Sequence, residues 1–396
     1  MSESNILNAT ELRTGISINS TSYVGRVTLN PLEITIRPKI TGAPLLRLMR
    51  YTYGLRNLQL MSYAGYGAET DTFQDLLINQ LVAEAAELIH RGLHRKYVAV
   101  NRELVSPRGR IDLQKVAKGG WMLRAALPCF YYPRLHNHVF NQVLLEGLYL
   151  GAHMTNIVCL RTELRRIAKV LEGNVSHIRL SGDTMKELRR QTNRLVSAYM
   201  PAVTIIELLL QSEGVSLGES DEKVKLKGFL FDMNRFFQVL MARFLKENLN
   251  GYVIQEEYKL RGMLAYLPGY NPKNKRSPEP RPDYVILRDS RIVLMLDAKY
   301  RDMAEKPLPN DMLYQLAIYA LSQGFGGVAV ILYPTINQKA EEERIEIRDA
   351  IRGRGRAQVI LRPVNLTHLD SLLSSPDSMR LKRERENYAK GLAFGS

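Results

Sequence analysis

The residues with the most chemical content are Asp283, Asp297 and Lys299. Asp283 follows Arg281-Pro282 and opens one apolar run, and Asp297-Ala298-Lys299 closes the next, Ile292-Val293-Leu294-Met295-Leu296. Side chains alternate across a strand, so Asp297 and Lys299, two apart, share a face. Paired as a hairpin through Arg288-Asp289-Ser290-Arg291, the two runs bring Asp283 and Asp297 together at one end of a sheet. Two carboxylates and a backbone carbonyl, here that of Ala298, form a hard oxygen site suited to Mg²⁺ or Mn²⁺. Such an ion orients and acidifies a water and neutralises charge developing on a phosphate. Lys299 could position that water or stabilise the transition state. The plain alternative is an Asp–Lys pair at a sheet edge, but placing these charges directly after a buried strand is costly unless they are paired or bind metal.

Hydrophobic periodicity predicts the elements that would position these groups. Residues Gly228 to Leu249 read as a helix, with Phe229, Phe236, Phe237, Leu240, Phe244 and Leu245 on one face. Tyr252 to Lys259 alternates like a strand, and Asn271 to Arg281 is a polar, basic, proline-containing loop. Strands Tyr284 to Leu287 and Ile292 to Leu296 follow, then a helix from Asp311 to Gln323 stopped by Gly324, and strands Val328 to Tyr333 and Gln358 to Leu361. Upstream, short β-branched runs at Arg26 to Thr28 and Leu32 to Pro38 flank a turn at Asn30-Pro31, and a helix is expected from about Asp71 to His94. Ser106 to Asp112 reads as a turn into a short strand, and Asn137 to His153 and Met185 to Ser197 as helices. Gly214 to Asp221 is a plausible boundary. The expected class is α+β and multidomain: a strand-rich N-terminal region (1–135), a helical middle (136–220), an α/β domain (221–373) and a basic tail (374–396), disordered or a solvated helix.

The chain has 396 residues, enough for two or three domains. Its net charge of +15 points to a polyanionic partner, nucleic acid foremost, against a generically basic surface or an acidic membrane. The basic loop residues Lys273, Lys275 and Arg276 are candidate phosphate contacts, a solvated loop being the bland reading. Tyr131 and Tyr132 beside Arg134 could stack on bases, though packing is the commoner role. The two cysteines, Cys129 and Cys159, form no C-x-x-C pair, which speaks against structural zinc. His90 and His94, four apart on an expected helix, lack a nearby third ligand and read as an amphipathic face. With no secretory leader and no apolar run of about 18 residues, the expected location is the cytoplasm. The sequence has no G-x-x-x-x-G-K-[ST] loop, so this chain is not expected to carry a P-loop NTPase.

Arg281-Pro282-Asp283, Asp297-Ala298-Lys299-Tyr300 and Asp311-xx-Tyr314-Gln315, followed by Ala317, Tyr319 and Leu332-Tyr333-Pro334, resemble the PD-(D/E)xK nuclease superfamily. The similarity is closest to McrC, the nuclease subunit of modification-dependent McrBC restriction systems, and Gly109-Arg110-Ile111-Asp112 resembles that family's N-terminal region. The resemblance implies an αβββαβ nuclease core in the last third. It implies Asp283 and Asp297 as ligands of Mg²⁺, for which Mn²⁺ could substitute, Lys299 as catalytic lysine and Gln315 near the active site. It also implies a McrB-like AAA+ NTPase partner, using GTP or ATP, contacted through residues before about Gly214, and modified or foreign duplex DNA as substrate. Where the family often carries a Phe-Glu carboxylate on the first core helix, this chain has Phe237-Gln238, which leaves a third carboxylate and a second metal ion open. Glu256 or Glu257 could substitute, but a solvent-facing pair is the simpler reading. Two other readings stand beside the nuclease subunit: a catalytically silent DNA-binding scaffold that activates the NTPase, and a repair nuclease.

Overall fold

The computed structural model describes residues 7–12, 15–29, 32–55, 73–118, 126–217, 224–301, 303–305, 307–374 and 378–395. Backbone contacts divide the chain into two units, Met1–Leu55 with Leu230–Ser396, and Arg56–Phe229. The expected boundaries at 135, 220 and 373 differ from this division. Residues up to Leu55 belong with the C-terminal part because a helix there buries its apolar face on that part.

The first unit opens with hairpins β1 (Leu7–Leu12) and β2 (Gly15–Ser20), then β3 (Tyr23–Leu29) and β4 (Leu32–Ile36). Helix α1 (Gly42–Tyr53) follows, burying Leu45, Leu46, Leu48 and Met49.

In the second unit, α2 (Phe73–His90) leads into β5 (Lys96–Tyr97), β6 (Val100–Leu104), β7 (Arg110–Ile111), α3 (Leu113–Lys118), β8 (Leu127–Tyr131) and β9 (Arg134–Leu135). The strands make two small sheets, β5-β9 and β6-β8-β7. Gly109 lies at φ +72, and a Cβ there would come within 2.5 Å of Phe130 O, so only glycine lets the turn before β7 approach β8 this closely. Helices α4 (Val139–Met154), α5 (Val158–Glu172), α6 (Gly182–Arg190) and α7 (Met200–Ser212) complete a helical body, and β10 (Glu213–Leu217) pairs with β11 (Val224–Asp232). The helix expected to reach His94 ends at His90, just before Gly92 at φ +86.

The first unit resumes with α8 (Met233–Asn248), β12 (Val253–Glu256), β13 (Tyr284–Arg288), β14 (Arg291–Ala298), α9 (Asn310–Ser322), β15 (Gly327–Thr335), β16 (Glu343–Arg348), β17 (Gly355–Asn365), α10 (Leu366–Ser374) and α11 (Met379–Phe394). The helix expected from Gly228 starts at Met233 instead. Asp232 caps it, its Oδ1 accepting from Asn234 N at 2.9 Å and Arg235 N at 3.1 Å, so the preceding apolar residues continue a strand. Six strands form one sheet in the order β12-β13-β14-β15-β17-β16. Within it β14, β15 and β17 run parallel, and β12, β13 and β16 antiparallel to their neighbours. The β13–β14 turn places Asp289 and Ser290 at φ 49° and 63°, the left-handed pair that matches the twist of a two-residue hairpin.

Helix α9 covers one face of the sheet, where Leu316, Tyr319 and Ala320 pack with Val285, Met295, Ile331 and Val359. Helix α8 contacts β12 and β14 and buries Phe236, Phe237, Leu240 and Phe244. Helix α1 packs against α8 and α10, and Arg47 grips Asp370 with both Nε and Nη2. Of the two expectations for the C-terminal segment, disorder or a solvated helix, residues Met379–Phe394 take the helix. Arg362, 4% exposed, donates to Leu392 O at 2.9 Å and Ala393 O at 2.8 Å, and also pairs with Glu342, fixing the end of α11.

Candidate active site

Strand register sets the two key carboxylates against each other. Tyr284 pairs with Leu296, and continuing that antiparallel register by one residue puts Asp283 opposite Asp297. Like charges in that relation repel. The cation that offsets them is Lys299, whose Nζ lies 2.9 Å from Asp297 Oδ2 and 3.5 Å from Asp283 Oδ2. The lysine is held because its backbone N–H still donates to Leu332 O at 3.0 Å, beyond the end of β14.

Asp283 Oδ2 also accepts from Ala298 N and from Gln238 Nε2, each at 2.9 Å. The same Gln238 Nε2 lies 3.4 Å from Ala298 O. Helix α8 is pinned at this end of the sheet twice more: Tyr284 Oη donates to Gln238 O at 2.6 Å, and Tyr300 N donates to Asn234 Oδ1 at 2.9 Å. Sequence reasoning does not single out Asn234 or Tyr284. Both act through contacts between elements distant in sequence, for which no spacing offers a signal.

Asp297 is 2% exposed, and its Oδ1 has no hydrogen-bond donor. Burial, then the nearby Asp283 charge, raise its pKa, and Lys299 pulls it back, leaving it at about 6. For Lys299 burial works to lower the pKa, but the charges of Asp297 and Asp283 outweigh it, so the ammonium is held above its ordinary value. Burial, reinforced by the Asp283 charge, pushes the Tyr284 phenol well up. Asp283, but not the buried Asp297, lines a cleft of about 330 Å³ shared with Asp232, Arg235, Gln238, Glu256 and Glu257 among others.

These groups fit a hard divalent cation in one respect that the structure displays. A buried carboxylate oxygen lacks any donor, beside a second carboxylate and the Ala298 carbonyl region. Among the described residues no group of three or more His, Cys, Asp or Glu side chains is arranged to hold a metal, so a cation at this cluster would have two carboxylates and a carbonyl to meet it. Glu256 and Glu257 are exposed, and Glu256 pairs with Lys246.

Of the remaining candidates, Gln315 donates through Nε2 to Tyr319 Oη at 2.7 Å, not to either carboxylate. Burial first raises the Tyr319 pKa, the Gln315 bond lowers it, and the charges of Asp297 and Asp283 raise it, which puts the phenol in the field of the pair. Lys273, Lys275 and Arg276 are exposed on the loop between β12 and β13, where Arg276 lies 3.8 Å from Glu279. Arg134 sits over the Tyr97 ring at 5.5 Å, and Tyr132 meets Phe130 edge-on. His94, beyond α2, faces His138 edge-on at 5.2 Å. Cys129 and Cys159 are both free thiols.

A mixed α/β chain with this carboxylate–lysine cluster at the end of its largest sheet has recognisable relatives. The family described as "McrBC 5-methylcytosine restriction system component" matches residues 18–334. The chain belongs to this family, as a McrC-type component. Among solved structures, one of the Thermococcus gammatolerans assemblies, a refined half-complex from a tetradecameric assembly of McrB AAA+ hexamers with bound McrC, is similar with a TM-score of 0.61 at 18% identity, covering 96% of this chain and 84% of that one. A second, the Thermococcus gammatolerans McrBC complex, gives a TM-score of 0.46 at 17% identity over 61% of this chain and 70% of that one. No curated protein matches the chain. None of the described helices is long and apolar enough to cross a membrane.

Proposed function

We propose that the chain is the metal-dependent endonuclease subunit of a McrBC-like restriction system, with a PD-(D/E)xK core formed by α8, β12–β14, α9 and β15. It would hydrolyse phosphodiester bonds in modified or foreign duplex DNA together with an AAA+ NTPase whose hydrolysis it stimulates. The observation that carries the reading is the cluster itself, in which Lys299 Nζ bridges two facing carboxylates and a buried Asp297 oxygen is left without a donor. An edge ion pair needs neither the second carboxylate nor the orphan oxygen.

Asp283, Asp297 and the Ala298 carbonyl would hold Mg²⁺ or Mn²⁺, which when bound supplies Lewis acidity and a water of lowered pKa. Lys299, kept protonated by its two carboxylates, offers an ammonium to the charge that builds on the scissile phosphate. Gln238 orients Asp283 through its amide. Gln315 steadies Tyr319 beside the pair, and Lys273, Lys275 and Arg276 would meet phosphates flanking the cut. The AAA+ partner comes from the family and from the McrB hexamers of the similar Thermococcus assembly, and residues before about Gly214 are the candidate region for contacting it.

One observation favours a second reading. Gln238 directs an amide, not a carboxylate, at Asp283 and Ala298, as a silent scaffold that binds DNA and activates the NTPase could also do. The deciding test is cleavage of methylated and unmethylated plasmid with Mg²⁺, with and without a McrB-like AAA+ NTPase and NTP, by wild type and Lys299→Ala. Cutting lost in the variant supports the nuclease. NTPase stimulation without cutting in any condition supports the scaffold, and cutting indifferent to methylation and partner supports a repair nuclease.

A further inference from the structure

Between β12 and β13 the chain makes an excursion, residues 258–282, without helix or strand. Connections this long inside a compact domain are uncommon and usually functional. This one is shaped rather than slack. Its neck is closed by Glu257 N donating to Asp283 O and Leu260 N donating to Pro280 O, both at 3.0 Å. Leu260 is buried in the core beneath α9, with Met263 packed against the same cluster. Gly262 and Gly269 turn the chain at φ +77° and +82°. At the far end Tyr270 N donates to Leu267 O at 3.0 Å, and Asn271 closes a loop on Lys275, its Nδ2 donating to Lys275 O and its Oδ1 accepting from Lys275 N, both at 2.8 Å.

What this arm presents to solvent is unusual. Leu267 is 71% exposed and Tyr270 77%, with Tyr266 beside them at 42%. Leaving large apolar groups in water on an otherwise braced loop calls for a surface that covers them. The same segment carries Lys259, Arg261, Lys273, Lys275, Arg276 and Arg281 against one carboxylate, Glu279. An apolar tip flanked by cations, on a neck hydrogen-bonded to the backbone of Asp283, is suited to a polyanion that also offers apolar surface. Duplex DNA has both, phosphates along its strands and sugar and base faces in its minor groove.

We propose that residues 258–282 form a duplex-engaging arm whose tip residues Leu267 and Tyr270 seat in the minor groove beside the scissile phosphate, while the flanking cations hold the strands. The arm thereby converts a phosphate contact into a positioning device: apolar insertion widens or kinks the groove and presents the backbone to the Asp283–Asp297 pair. This rests on the nuclease reading, since a chain that never meets DNA has no use for such an arm.

The test is duplex binding by fluorescence anisotropy with the full-length chain in Ca²⁺, over a range of salt, alongside plasmid cleavage in Mg²⁺ with the AAA+ partner and NTP, and stimulation of that partner's NTP hydrolysis. Three proteins are compared: wild type, Leu267→Ala/Tyr270→Ala, and Lys273→Ala/Lys275→Ala/Arg276→Ala. The apolar pair should weaken binding by about 10-fold or more with the slope of log affinity against log salt unchanged, because stacking and groove packing release no counterions. The cation triple should flatten that slope by roughly 0.9 for each phosphate it leaves unneutralised. Thermal unfolding of both variants should match wild type, since the substituted side chains are exposed. Affinity within twofold of wild type for the apolar pair overturns the proposal. So does intact DNA binding with lost NTPase stimulation, which would give the tip to a protein partner. If wild type neither binds nor cuts duplex DNA, the nuclease reading falls first and the arm with it. Wild-type cutting with an indifferent apolar pair removes the arm alone.

Discussion

Replacing Lys299 with Met keeps most of the side-chain volume and removes the one cation between Asp297 and Asp283. At an effective dielectric near 20, charges 2.9 Å and 3.5 Å apart attract by about 6 and about 5 kcal/mol respectively. Taking the ammonium out of water cancels much of that, and stranding one partner of a buried pair typically costs about 3–5 kcal/mol net. Asp297 can escape part of the cost by keeping a proton. Its folded pKa, already raised to about 6 with the lysine present, would climb further without it. A carboxyl whose folded pKa is raised binds its proton more tightly folded than unfolded, so stability falls as pH rises from the unfolded value to the folded one, then levels off. In wild type that decline lies between about pH 4 and about pH 6. In Lys299→Met it extends beyond neutrality. The deficit of the variant should therefore be about 1 kcal/mol at pH 5 and grow to roughly 3–5 kcal/mol by pH 8. Urea midpoints at pH 5, 6.5 and 8 in the presence of a chelator measure this. Lys299→Arg should restore the wild-type profile while cleavage stays low, because charge returns but the ammonium's compact geometry does not. Parallel pH profiles for wild type and Lys299→Met would refute the view that Lys299 neutralises this pair.

Binding of Mn²⁺ should weaken as pH falls through about 6, by roughly tenfold per pH unit once Asp297 is protonated, as titration calorimetry would record. Gln238→Glu should tighten cation binding yet lower stability without cation, since a third negative charge joins Asp283 and Ala298 O; equal Mn²⁺ affinity in both proteins would disprove the first half. Arg362→Ala should destabilise the chain by about 1–3 kcal/mol by leaving two terminal carbonyls of α11 without their donor and Glu342 with Arg344 alone, visible as a lower melting temperature and earlier proteolysis of α11.

Asp283, Asp297 and Lys299 were legible in the sequence because their geometry is local. A hairpin with a two-residue left-handed turn brings the two runs together and alternation sets Asp297 and Lys299 on one face, but a one-residue bulge at Val293, which spacing does not announce, is what shifts the register so that Asp283 falls opposite Asp297 rather than Leu296. The alternation of strands and helices from Tyr252 onward was readable from periodicity, apart from the edge strand β16, whose exposed, charged residues dilute the apolar signal, and the short helix α10, which sequence reasoning does not assign. Two failures have a common cause. The apolar run before Met233 satisfies a helical face as well as a strand, and only the Asp232 cap decides where the helix begins. The amphipathic face of α1 is plain once seen, but periodicity does not name its partner, and that partner lies beyond residue 230. At the C-terminus the sequence left disorder and a solvated helix open, and the structure has the helix: its polar, basic composition faces solvent, while Ala389, Leu392, Ala393 and the buried Arg362 hold its end in place.

Charge balance gives Gln238 a meaning beyond a departure from pattern. With Asp283 and Asp297 ionised and Lys299 protonated, the immediate cluster carries one net negative charge, spread over groups that are mostly buried. A neutral amide keeps it there, and its N–H donates to the Asp283 oxygen that already takes Ala298 N–H and Lys299. A carboxylate in the same place would accept rather than donate, would face Asp283 and Ala298 O as a third repelling group, and would hold the cluster intact only with added positive charge. On the proposed reading, then, the amide suits a site that remains folded before its cation arrives and that one divalent ion brings to a net positive charge, poised toward a phosphate. A second ion would have to be held without a third carboxylate in the cluster, with Glu256 engaged by Lys246 at the exposed rim of the cleft.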